Sequence, residues 1–220
     1  MKRLFIVCEG QTEEQFVRDM LAPHLTGHGL AVTAPLIGHP GHKGGNVTWD
    51  RLAGDLRRLL RGDSGAVATT LIDFYGIASD FPGVSQAKRL FATAAKANAV
   101  QTAMATAAQA ALDVGPDRFL PYIQMHEFEG LLLSDPDGFA NGIGEPSLAA
   151  PLHAIRTAFD SPEDINHGSD TAPSKRIARL KAGYDKPLHG VLAARRIGLP
   201  QMRTSCPLFD AWISRLECIT

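Results

Sequence analysis

Residues Leu4 to Cys8 form an unbroken apolar run of strand length, LFIVC. A run without alternation leaves no face suited to water, so a strand built from it must be covered on both sides. Parallel sheets packed between helices provide that cover. The next residues agree. Gly10 supplies a turn, Thr12 and Gln15 stand at capping-box spacing, and Phe16, Val17, Met20 and Leu21 recur at helical spacing. The opening reads as strand, tight turn, helix.

The alternation continues down the chain. Leu30 to Ile37 is a second extended run, Gly38 to Asn46 a loop, and Trp49, Leu52, Leu56, Leu59 and Leu60 mark an amphipathic helix ending near Gly62. Ala66 to Phe74 is a third strand, and Gln86 to Leu112 one or two Ala-rich helices. Phe119 to Gln124 reads as a fourth strand, with a helix over His126 to Leu133 behind it. Strands alternating with helices predict an α/β fold with a mainly parallel sheet flanked by helices. Beyond Ser134, Pro, Gly, Asp and Ser become frequent and short helical patterns replace strands. The expected organisation is an α/β core over 1–134 and a mostly helical C-terminal extension over 135–220, packed on it as one structural domain. At 220 residues and 45% hydrophobic, the chain can bury such a core.

Composition narrows the function. A net charge of −1 places no global demand for nucleic acid or an anionic membrane, so any polyanion must be met by local patches. Three cysteines without CxxC spacing argue against a disulfide framework or zinc knuckle and fit a reducing cytoplasm. Leu4 to Cys8 is too short for a signal-peptide core, and no window approaches the ~20 apolar residues of a membrane helix. A cytoplasmic protein is expected, with no membrane partner. No GxSxG elbow or P-loop occurs, which leaves serine hydrolase and autonomous NTPase chemistry unsupported. His39 and His42 have no further close Cys or His to complete a zinc site.

In an open parallel sheet, ligands gather beyond the carboxyl ends of the strands. Glu9 closes the first strand and Asp73 the third, while Glu13 lies four residues after Glu9 in the first turn of a helix. Carboxylates crowded at one sheet edge repel one another unless a cation neutralises them, and hard oxygen donors suit Mg²⁺ or Mn²⁺. Spacing alone also allows a plainer reading, in which Glu13 and Glu14 favour the positive end of the helix and Asp73 shapes a turn.

Two further groups stand out. In HEFEG, His126 and Glu129 are three apart and would share a helix face, with Glu127 turned elsewhere. Glu127 or Glu129 could complete a metal shell and His126 could handle protons or a phosphate; the alternative is a helix start with acids at its positive end and an imidazole cap. From Ser174 to Arg203 there are eight Lys or Arg against one acid, Asp185. Lys175, Arg176 and Lys186, with Lys43 in the glycine-rich loop, are candidate phosphate binders. A solvated helix face is the alternative for these residues.

The string VCEGQTEEQFV resembles the first motif of Toprim domains, in the EGxTE form of OLD-family nucleases and RloB-like proteins. Together with LIDFYGIASDFPG, PYIQMHEFEGLLLSDP, TAPSKRIARLKAGYDKPLHG and CPLFDAWISRLE, it resembles an uncharacterised bacterial Toprim-like family, a domain of unknown function, over nearly the whole chain. The resemblance implies a Toprim-like sheet and a Mg²⁺- or Mn²⁺-dependent, nuclease-like phosphodiester chemistry. Glu9 and Glu13 would match the acids of the first motif and Asp73 the first acid of the DxD motif, with Glu129 supporting the metal. Glu9, Asp73, Glu127, His126 and Lys175 are the expected catalytic set. Where a second DxD acid would stand, this chain has Tyr75, which leaves open a non-catalytic module that binds nucleic acid, a nucleotide or a partner. Relatives of this architecture accompany an ABC-type or AAA ATPase in anti-phage modules, so the resemblance also implies an ATPase partner.

Overall fold

The computed structural model describes residues 1–38, 47–112, 115–165 and 170–219. Packing divides the chain into two compact units: Met1–Ile123 together with the C-terminal residues from Leu216, and Gln124–Arg215. Residues 124–134, which the sequence pattern assigned to the core, group with the second unit.

The first unit is α/β. Four parallel strands, β1 (Lys2–Cys8), β2 (Leu30–Thr33), β3 (Val67–Leu71) and β4 (Phe119–Leu120), lie in the order β2-β1-β3-β4. The helices α1 (Gln11–Phe16), α2 (Ala22–Thr26), α3 (Trp49–Arg61), α4 (Val84–Ala87) and α5 (Thr93–Leu112) connect them. The two central strands are covered on both faces: every residue of β3 is buried, its Thr69 and Thr70 hydroxyls donating to carbonyls, as are Leu4, Ile6, Val7 and Cys8 of β1. Cys8 pairs with Leu71, which brings the ends of β1 and β3 side by side.

Several boundaries differ from the pattern, each for a local reason. Helix α1 begins at Gln11 behind an extended Gly10, so Thr12 lies inside the helix, buried, and the capping box does not form. A wider π turn, Val17–Leu21, then leads into α2, where Pro23 removes a donor from the ladder. Strand β2 stops at Thr33 before Pro35, and the chain rejoins the sheet through a parallel bridge between Leu36 and Cys8. Strand β4 ends at Leu120. Beyond it, the Thr70 hydroxyl donates to the Tyr122 carbonyl (2.6 Å) and accepts from the Tyr122 N–H (3.0 Å), replacing the backbone ladder.

The second unit is built of short helices: α6 (Glu129–Leu132), α7 (Pro136–Gly142), α8 (Ala149–Arg156), α9 (Pro173–Leu180), α10 (Val191–Ile197), α11 (Leu199–Ser205) and α12 (Pro207–Glu217), the last reaching into the first unit's C-terminal residues. Helix α7 packs closely on α10, where a Cβ on Gly142 would stand 2.9 Å from the Ala193 Cα and the Leu192 carbonyl. The helix expected over His126 to Leu133 shrinks to Glu129–Leu132, because His126 takes a left-handed backbone (φ 65°) that no helix accommodates. His126 and Glu129 therefore share no helix face. Among the described residues no helix is long and apolar enough to cross a membrane.

Candidate functional site

The carboxyl edge of the first unit's sheet holds the predicted strand-end acids. Glu9 is still in register with β3, its N–H donating to the Leu71 carbonyl at 3.1 Å. Its Oε2 accepts the Asp73 backbone N–H at 3.0 Å, so a carboxylate after β1 fixes the turn after β3. That turn closes by the Gly76 N–H donating to the Asp73 carbonyl, 3.2 Å. It carries Gly76 over Glu9 so closely that a Cβ there would lie 2.5 Å from Glu9 Oε1. Glu13, in the first turn of α1, and Asp73 are each only 8% exposed.

Around them, the Cys8 thiol is buried and pushed up, first by burial and then by Glu13 and Glu14. It is a core side chain, as its place inside β1 implies. Tyr75, 47% exposed, stands where a second acid would, and it offers a phenol rather than a carboxylate. Glu9, Glu13 and Asp73 offer hard oxygen donors, which fit Mg²⁺ or Mn²⁺ rather than zinc. Among the described residues, however, the group whose potential donor atoms all lie within 4.8 Å of one another is His24, His28 and Glu217. The three acids are not drawn together into so tight a set.

The second unit holds the other predicted acids, and in a different arrangement from that expected. Glu127 is not turned away. Its two oxygens accept the Ser174 N–H (2.8 Å) and the Ser174 hydroxyl (2.9 Å) at the start of α9. Lys186 Nζ stands 3.1 Å from Glu129 Oε2 and 3.6 Å from Glu127 Oε1, bridging the two acids. Glu129 is 1% exposed, and its Oε1 has no hydrogen-bond partner among the described residues. Burial holds its carboxyl above the ordinary range; Lys186 opposes this and Glu127 adds to it. The Tyr184 hydroxyl, also buried and without a partner among the described residues, is pushed up by burial and by Glu129 and Glu127. Its ring stacks on His189 at 5.7 Å. Lys186, 3.1 Å away, offsets part of the burial of Glu129.

The basic candidates divide. Lys186 is the counter-ion of the two glutamates. Arg176 donates to the Thr171 carbonyl (2.8 Å) and lies over the Phe159 ring (5.5 Å), a role in packing. Lys175 is exposed in the first turn of α9, and His126 is buried at 3% exposure. Lys43, with His39 and His42, lies outside the described residues. Sequence reasoning passed over Gly76, Ser174 and Tyr184. Gly76, Ser174 and Tyr184 stand inside the quoted strings, but only the closeness of Gly76 to Glu9, the Ser174–Glu127 hydrogen bonds and the buried Tyr184 hydroxyl mark them.

Over residues 8–217 the sequence matches the family described as a domain of unknown function, DUF4276. The chain belongs to that family. Comparison with curated proteins and with solved structures gave no match. The match spans residues of both units, so the strand-end carboxylates and the Glu127–Glu129–Lys186 cluster all lie within the matched region.

Proposed function

We propose that this chain is a Toprim-type, Mg²⁺-dependent phosphodiester-processing protein, nuclease-like in its chemistry. The observation that carries the reading is the pairing of Glu9 and Asp73 at the ends of adjacent parallel strands, with Glu13 buried at the helix start. Glu9, Asp73 and Glu13 would hold the ion, which when bound polarises a phosphoryl oxygen and makes bound water more acidic. Glu9 also orients Asp73, by holding the backbone N–H of that residue. In the second unit, Lys175 is one exposed basic side chain open to a phosphate of nucleic acid or nucleotide. By the same resemblance, the partner in this reading is an ABC- or AAA-type ATPase, with this chain as the effector of an anti-phage module.

A second reading has its own observation. Tyr75 is exposed where a second acid would stand, and Glu9 already has a structural duty, so the module could bind nucleic acid or a partner without cutting. Cleavage of DNA and RNA with Mg²⁺ or Mn²⁺, run beside Glu9→Gln and Asp73→Asn, separates the two. Metal-dependent cleavage lost in both variants supports the catalytic reading. Cleavage that survives both overturns it, and binding without cleavage favours the second.

A further inference from the structure

Away from the strand-end acids, the last turn of α2 meets the end of α12. His24 Nε2 lies 2.6 Å from Glu217 Oε1, His28 Nε2 lies 3.9 Å from the same oxygen, and the two imidazole rings are 5.1 Å apart. All three donor atoms fall within 4.8 Å of one another. We propose that His24, His28 and Glu217 bind a divalent transition metal of the zinc class.

The geometry supports this in three ways. Two imidazole nitrogens and one carboxylate oxygen are a donor set suited to Zn²⁺, Co²⁺ or Ni²⁺, and unsuited to Mg²⁺, which asks for oxygen. Two donors of a tetrahedral zinc stand roughly 3.3 Å apart for bonds of about 2.0 Å. The observed 2.6 and 3.9 Å lie on either side of that value, so small rotations of the rings reach it. Finally, His24 lies in the last turn of α2 and Glu217 ends α12, and carbonyl groups at helix C-termini favour a positive charge. The side chains are 30%, 41% and 17% exposed, which leaves the ion a path from solvent and room for water as a further ligand. Bound there, the metal would clip the C-terminal residues from Leu216 to α2, 193 positions earlier in the chain. His24 and Glu217 are close enough for a hydrogen-bonded ion pair, whereas His28, 3.9 Å from the same oxygen, is within ion-pair range but too far for a hydrogen bond.

The test uses the full chain, stripped with chelator and titrated with Zn²⁺ by calorimetry and with Co²⁺ by visible absorption. One equivalent is expected to bind, with the intense bands of low-coordinate Co²⁺ and a rise in unfolding temperature that Mg²⁺ does not reproduce. His28→Ala and Glu217→Gln should each weaken binding by about 100-fold or more, beyond the 10–100-fold lost when only an outer partner is removed. His28→Ala removes no hydrogen bond, so it should fold as the parent does by circular dichroism. Cys218 is an exposed thiol next to Glu217, so Cys218→Ser is the control and should keep the site. Zn²⁺ affinity unchanged in His28→Ala, or abolished in Cys218→Ser, overturns the proposal. So does the absence of stoichiometric binding to the parent chain.

Discussion

Gly76→Ala is the sharpest probe of the strand-end site. Gly76 is not among the positive-φ glycines, so alanine brings no backbone strain there. Its Cβ would instead stand 2.5 Å from Glu9 Oε1, against about 3.4 Å for ordinary contact, and Glu9 must retreat by about 0.9 Å. Such a shift breaks the 3.0 Å bond that Glu9 accepts from the Asp73 N–H. A hydrogen bond to a charged group contributes about 1.5–3 kcal/mol. Alanine returns about 0.4–1 kcal/mol by restricting the unfolded chain. The net expectation is a loss of about 1–2 kcal/mol by urea unfolding. In a Glu9→Ala background the Cβ meets no carboxylate, and the same substitution should be neutral or mildly stabilising. The double-mutant cycle therefore predicts a coupling of about 2 kcal/mol. An equal cost of Gly76→Ala in both backgrounds would refute the claim that this glycine acts through Glu9. In the proposed enzyme, Gly76→Ala should also weaken Mn²⁺ binding and cleavage together.

Two pH-dependent outcomes follow from the second unit. Glu163 accepts the Leu208 and Phe209 N–H groups at 2.9 Å each, yet burial pushes its carboxyl up to about 7. A folded pKa raised above the unfolded value means that stability is highest below about 4.5 and falls as pH rises to about 7, by about 3 kcal/mol in all. Glu163→Gln mimics the protonated acid, so it should match the parent at pH 4.5 and exceed it by up to about 3 kcal/mol at pH 8. A difference independent of pH in urea unfolding sinks this assignment. Lys186→Met leaves Glu129 and Glu127 without their shared cation; because the lysine is 43% exposed, the cost is about 2 kcal/mol rather than the full value for a buried pair. Glu129 is already raised and would rise further, so that loss should grow from pH 5 to pH 8 and shrink in acid.

Local pattern was enough for the layered α/β unit. The apolar run of β1 has no polar face and helical spacing follows it, while β-branched residues mark β3 and alanine content marks the long helix beyond it, so the sheet and its helices are legible from neighbouring residues alone. The acids at the ends of those strands were legible for the same reason, since parallel register puts Glu9 and Asp73 at one edge. What the side chains there do was decided only by tertiary structure. Glu9 grips a backbone N–H 64 positions away, Glu127 holds Ser174 across 47 positions, and Lys186 reaches Glu129 across 57. No periodicity encodes where a loop returns, and none encodes the left-handed turn at His126 that dissolves the expected helix face. Local sequence sets which residues a strand or helix must bury, because that depends on period and polarity. Which distant group a buried charge meets depends on register and loop closure, and the folded chain alone decides it.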